Sequence, residues 1–98
     1  MLDYPEINEV MQRVAKATLG RKNVIRTMTD PWSDSDGGDA LRITIVFTEG
    51  AVDRIKGDAF GDHLVEIHNQ LYQMQDVRTP IVEYATEAEL AAGDDPEC

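Results

Sequence analysis

The chain is poor in cysteine, in positive charge and in long apolar runs. Its one cysteine, Cys98, is the last of 98 residues, so no disulfide can form within the chain and nothing points to an oxidising compartment. The longest apolar run, from Ile43 to Phe47 with Thr44 inside it, is far too short to cross a bilayer. The first residues lack the basic and apolar segments of a signal peptide. We therefore expect a cytoplasmic protein.

Positive charge is scarce. Nine Lys and Arg stand against 19 Asp and Glu, which gives a formal net charge of −10. Nucleic-acid backbones are bound by clustered cations, so this balance disfavours nucleic acid as a partner. Five of the nine cations lie between Arg13 and Arg26, and four of these, Arg13 to Lys22, complement the C-terminal end of a predicted helix. The acidic excess favours solubility and a basic protein partner.

The length and composition are those of one small folded domain. Hydrophobic residues make up 42% of the chain and charged residues 29%, which argues against global disorder. We expect a single domain over residues 1–92 and a frayed acidic tail over residues 93–98.

Two segments carry apolar residues at helical spacing. The first, Pro5–Leu19, has a proline in its first turn and is followed by Gly20, a common helix end. The second, Asp58–Gln75, repeats apolar residues at intervals of four, three, four and three. Its predicted buried face consists of Phe60, Leu64, Ile67, Leu71 and Met74.

Three other segments are predicted to be strands. Residues 23–29 are rich in β-branched side chains. Asp30-Pro31 ends this predicted strand and begins a polar loop of residues 30–39. Residues 41–48 alternate with a period of two, and residues 81–85 form a short third strand. The first two strands are expected to pair as a hairpin around the loop.

Two short helical turns complete the pattern, one at residues 51–56 and one after a capping box at Thr86-Glu87-Ala88-Glu89. The order is α-β-β-α-β plus a short C-terminal helical turn. It predicts an α+β fold, a two-layer sandwich in which a three-stranded mixed sheet carries two main helices on one face. The crossover through the long helix makes the second and third strands parallel.

No set of catalytic groups can be named, and we predict neither an enzyme nor a bound metal or cofactor. When the Asp- and Gly-rich loop is aligned to an EF-hand, Trp32 and Ile43 fall at the first and last ligand positions, where calcium needs oxygen. His63 and His68 are five residues apart, whereas a helical metal pair needs a spacing of three or four. We expect His63 at the surface and His68 at the boundary of the core.

Trp32 is the only tryptophan and lies in the acidic loop. An exposed tryptophan can anchor a protein interface, and the alternative is that it folds back over the end of the sheet or a helix. We predict a contact surface formed by Trp32, Asp34, Asp36 and Asp39. Its acids would favour a basic protein partner.

The order of elements resembles that of BolA-like and type II KH-like domains. Residues 58–61, 64–68 and 72–73 resemble the BolA signature around its long helix, and residues 86–89 resemble the end of that domain. The BolA resemblance implies a metal or redox accessory domain that works with a glutaredoxin, with His63, His68 or Cys98 as candidate ligands. The KH resemblance implies a nucleic-acid-binding module that reads through residues 13–26.

The chain is also similar, over residues 34–47 and 80–84, to small uncharacterised bacterial proteins that accompany a larger gene product, as antitoxins do. That resemblance implies a small domain that binds and neutralises a protein partner. A three-stranded sheet has two open edges, so an edge-paired homodimer is a further alternative. Our leading hypothesis is an acidic protein-interaction domain.

Overall fold

The computed structural model describes residues 4–33, 35–76 and 78–93. Within these residues, four helices and three strands follow one another in the order α-β-β-α-α-β-α, and none of these helices is long and apolar enough to cross a membrane. The elements are α1 (Tyr4–Leu19), β1 (Val24–Ser33), β2 (Asp39–Phe47), α2 (Ala51–Arg54), α3 (Gly57–Gln73), β3 (Thr79–Thr86) and α4 (Glu87–Gly93).

The three strands form one mixed sheet in the order β1-β2-β3. β1 pairs antiparallel with β2, and β3 pairs parallel with β2. The predicted α+β class, the hairpin and the parallel crossover are therefore confirmed. The turn at residues 51–56 is present as α2.

The core lies between the sheet and the two long helices. Alternate residues of β2 are completely buried on the helix side, because the strand pleat sends every second side chain to that face. α1 and α3 close this layer with residues at helical spacing. The buried side chains include Ile7, Met11, Leu41, Ile43, Ile45, Phe47, Ile67 and Leu71.

The predicted end of β1 at Thr29 is wrong, and so is the loop over residues 30–39. β1 continues through Pro31 to Ser33, and β2 already begins at Asp39. The backbone groups of Thr27 point away from β2, towards the outer edge of the sheet. Pro31 lies four residues further along the strand, so its backbone groups point to the same edge. The missing N–H of the proline therefore lies on the outer edge, where the ladder needs no donor.

The outer edge of β1 is bonded to α1 at one point. The Asn8 side-chain amide donates to the Thr27 carbonyl at 3.0 Å, and Gln12 Oε1 lies 3.4 Å from the Thr27 backbone nitrogen. Asn8 Oδ1 also accepts from the hydroxyls of Thr27 and Thr29 at 3.0 and 2.9 Å. Side chains of α1 thus bond the backbone groups of Thr27 to which another strand would otherwise hydrogen-bond.

The buried face of α3 differs from the predicted one at a single position. His63 is completely buried, and Leu64 is 41% exposed. The expectation of a surface His63 and a core Leu64 is therefore wrong. The buried row runs through Phe60, His63 and Ile67, because the sheet lies under that side of the helix and Tyr84 gives the imidazole a polar partner there.

The C-terminal capping box is confirmed. The Glu89 N–H donates to Thr86 Oγ1 at 3.1 Å, and the Thr86 N–H donates to Glu89 Oε1 at 3.0 Å. α4 then extends to Gly93, the first residue assigned to the predicted tail. Residues 94–98 of that tail lie outside the described residues.

Replacing Asn8 with alanine is expected to destabilise the fold by about 1–3 kcal/mol, because it leaves the part-buried polar groups of β1 without their partners. The matched control is Glu9→Ala, which truncates an exposed neighbour on the same helix. Urea unfolding measures both variants. Equal midpoints for the two would show that the contact between α1 and the strand edge contributes nothing to stability.

Candidate protein-interaction surface

One side of the sheet carries neither of the long helices, and we call it the open sheet face. The register defines its members: they are the strand residues that alternate with the core positions of β2 and their neighbours on β1 and β3. They are Arg26, Met28, Asp30, Trp32, Ala40, Arg42, Thr44, Val46, Thr79, Ile81, Glu83 and Ala85.

Trp32 is a strand residue on this face. It pairs with Ala40 across the hairpin, one residue from Asp39, the predicted site residue that begins β2. Its side chain remains 49% exposed, and the Arg42 guanidinium lies 4.8 Å from the ring centroid. The cation covers one ring face by a cation–π contact, while the rest of the indole stays accessible.

Within the described residues, two arginines of the open sheet face form ion pairs. Arg42 Nη2 donates to Glu83 Oε2 at 3.0 Å, joining β2 to β3. Arg26 Nη2 donates to Glu87 Oε1 at 2.6 Å, joining β1 to the start of α4. Arg42 also has a buried Nε that makes no hydrogen bond within the described chain. The packing around Arg42 holds its guanidinium in place beside Trp32.

The tip of the hairpin next to Trp32 is acidic. Asp36 and Asp39, both predicted site residues, are exposed there, and Asp30 is exposed on β1 opposite Arg42. Gly37 has a φ of 83°, in the left-handed region that a glycine adopts without steric cost. Asp34, the fourth predicted site residue, lies outside the described residues. The structure thus brings Trp32 and Asp39 together at the base of the tip.

A second polar cluster is buried on the helix side of the sheet. His63 Nδ1 lies 2.8 Å from Tyr84 Oη, and His63 Nε2 has no hydrogen-bond partner in the described chain. The Tyr84 ring stacks on Phe47, and Phe60 meets it edge-on. Burial lowers the pKa of His63 to about 4 and raises the pKa of Tyr84 to about 12, because the charged form of each would lose hydration.

A third cluster links the start of α1 to the loop before β3. Arg78 donates from Nε and Nη2 to Asp76 at 2.9 and 2.5 Å, and its Nη1 donates to Tyr4 Oη at 2.8 Å. The hydrogen bond from Arg78 holds the pKa of Asp76 below its usual range. Three of the five guanidinium N–H groups of Arg78 are bonded in this way, so the cluster ties the start of α1 to this loop.

No group of three or more His, Cys, Asp or Glu that could hold a metal ion is present among residues 4–33, 35–76 and 78–93. His63 and His68 are separated, since the first is buried and the second is exposed rather than at the core boundary. Cys98 lies outside the described part. The candidate ligands of the BolA-like hypothesis therefore do not converge where the structure describes them.

Sequence reasoning missed the cations of the open sheet face. The period-two pattern of the predicted strand at residues 41–48 places Arg42 on the face opposite the core, but it does not identify the partners of Arg42. Its partner Glu83 lies on another strand, so the pair required the parallel register to be known. The contact of Arg42 with Trp32 could not be anticipated while Trp32 was assigned to a loop.

Comparison with protein-family models, with curated proteins and with solved structures finds no match to this chain.

His63 is expected to make the fold acid-sensitive. Its folded pKa is lowered, so the folded state resists protonation that the unfolded state accepts. The stabilisation is complete above pH 6.5 and is lost as the pH falls from there through about 4, to a total of about 3 kcal/mol. Urea unfolding measured across this pH range would show the loss.

The double variant His63→Leu/Tyr84→Phe removes the titrating ring together with the hydroxyl that it contacts. It should flatten the pH dependence between 6.5 and 4. His68→Gln, which alters the exposed histidine, should keep the wild-type profile. The explanation is wrong if the double variant and the wild type lose stability in parallel.

Proposed function

We propose that this chain is a small acidic protein-interaction domain that binds a basic protein partner through the hairpin tip and the adjoining open sheet face. The observation that carries the proposal is Trp32, held half-exposed against Arg42 beside the acidic tip. If the activity of the partner depends on the basic side chains that this surface covers, the complex would neutralise that activity.

Trp32 has the properties of an interface anchor. Tryptophan is enriched among the residues that dominate binding energy, because it buries a large ring at little cost in conformational entropy. Here the ring is already positioned by a strand and by the Arg42 guanidinium. Little side-chain freedom would be lost on binding, and this preorganisation favours affinity.

The charge of the surface supports a basic partner. Arg26 and Arg42 each pair with a glutamate, so the two pairs add no net charge to the open sheet face. The aspartates at and near the tip, Asp30, Asp36 and Asp39, make the surface net negative. With a formal charge of −10 on the chain, a cationic partner would be steered towards this side during diffusion.

Affinity purification from the native host would supply the partner, and binding of that purified partner would then be measured with variants. Trp32→Ala should weaken binding by roughly 30-fold or more, the scale of a buried tryptophan anchor. Val52→Ala is the matched control, since Val52 is 57% exposed on α2. If both variants bind the partner as tightly as the wild type does, Trp32 is not part of the interface.

Charge reversal tests the second part of the proposal. Asp36→Lys/Asp39→Lys at the tip should slow association and reduce its salt dependence. Glu49→Lys/Asp53→Lys changes the net charge by the same amount, at exposed positions beyond the opposite end of β2. If the two double variants slow association equally, the overall charge acts and the tip is not the contact.

The two other hypotheses have weaker support. For the BolA-like hypothesis, a titration with a glutaredoxin iron–sulfur cluster would have to produce a spectral change. For a KH-like module, a mobility shift at low salt would have to appear, and low salt is its most favourable condition. Arg26, within the stretch that would read nucleic acid, is already paired with Glu87.

A further inference from the structure

The outward side of α3 carries a row of solvent-exposed residues. Gly61, Val65, His68 and Tyr72 lie within a sector roughly 60° wide at 3.6 residues per turn. Val65 is 60% exposed and Tyr72 85% exposed. Leu64, turned out of the core, extends this apolar area on one side with 41% exposure. We call these five residues the α3 row.

Gly61 has no explanation within the monomer. It lies inside a regular helix, where glycine costs stability relative to alanine. A Cβ at this position would meet no atom within 4 Å, so no close approach inside the molecule requires the glycine. Its φ is not in the positive region either. The empty space over Gly61 is accounted for if another helix approaches α3 at this point.

The spacing along the α3 row is symmetrical. The steps from Gly61 to Val65, to His68 and to Tyr72 are four, three and four residues. An isologous dimer requires the same surface on both subunits to be complementary to itself. If two copies of α3 cross antiparallel, Tyr72 of each copy lies over Gly61 of the other, and Val65 lies against His68.

We propose that this protein forms a homodimer in which the α3 rows of two copies pair antiparallel, with the Tyr72 ring of each copy filling the space above Gly61 of the other. The large exposed ring and the unfilled space stand at equivalent distances from the dyad. The arrangement uses α3 and leaves the open sheet face accessible, so it does not depend on the function proposed above.

The charges on α3 favour the antiparallel direction. Asp58 and Asp62 lie in its first turns, and its last turn contains no charged residue. Antiparallel crossing places these acids beside the neutral end of the other helix, whereas parallel crossing would stack acid on acid. The opposed helix dipoles also attract each other. Pairing of β1 edges is disfavoured at Thr27, where Asn8 and Gln12 already bond the backbone.

The interface would be small, because α3 has fewer than five turns and offers a single row of residues. It belongs with contacts that bury less than about 1,200 Å² in total, which are weak and transient. Self-association should therefore depend on concentration. Sedimentation velocity of the full chain, from micromolar to millimolar concentration, is the appropriate measurement.

Three variants and one control test the pairing. Gly61→Tyr fills the space on both copies, and Tyr72→Ala removes both rings, so each should weaken self-association by on the order of tenfold or more. The double variant Gly61→Tyr/Tyr72→Ala places the ring at position 61 and the space at position 72, and it should restore self-association. Gln73→Tyr is the control, since it adds the same ring at an exposed position about 100° from Tyr72 around the helix.

Circular dichroism would establish that each variant is folded, and the altered side chains are all solvent-exposed. Recovery in the double variant, with wild-type behaviour of Gln73→Tyr, supports the antiparallel pairing. A monomer at every concentration overturns the proposal. So does a dimer that the single variants leave unchanged, or one that the double variant fails to restore.

Discussion

Strand β2 is paired on both edges, antiparallel to β1 and parallel to β3, and its side chains from Ile43 to Phe47 are all buried. This strand positions both β1 and β3. The helix-side residues of β2 form one core cluster with buried residues of α1 and α3. The removal of this apolar area from water is the main driving force of folding. The opposite side of β2 forms the centre of the open sheet face.

The same alternation produces the surface that we assign to binding. Ala40, Thr44 and Val46 are buried on the open side although no long helix covers them, because the flanking strands and their long side chains enclose them. Arg42 is the exception in this row, and it emerges between Trp32 and Glu83.

The fold also keeps its exposed surfaces apart from one another. The outer edge of β1 is bonded at Thr27 by side chains of α1, which blunts it as a site of strand pairing. The acidic tip and Trp32 lie at one end of the hairpin, and the α3 row lies on the helical layer. A homodimer through α3 and a partner at the tip would therefore not compete for the same residues.

Local pattern was sufficient for the elements and their order. The period-two alternation of β2, the helical spacing in α1 and the capping box at Thr86 all act within a few residues, so the α+β class and the sheet topology followed from them. The acidity of the hairpin tip is likewise a property of composition. These features do not depend on which side of an element meets the core.

Tertiary structure decided what local pattern leaves open. β1 runs through Pro31 because an edge strand needs no donor on its outer side, which is known only once its partner is known. His63 displaced Leu64 from the core because the hydroxyl of Tyr84, 21 residues away, gives the imidazole a polar partner. Trp32 acquired Arg42 as a neighbour through pairing across the hairpin. Each outcome depends on a contact between residues distant in sequence, and such contacts are set by packing rather than by local spacing.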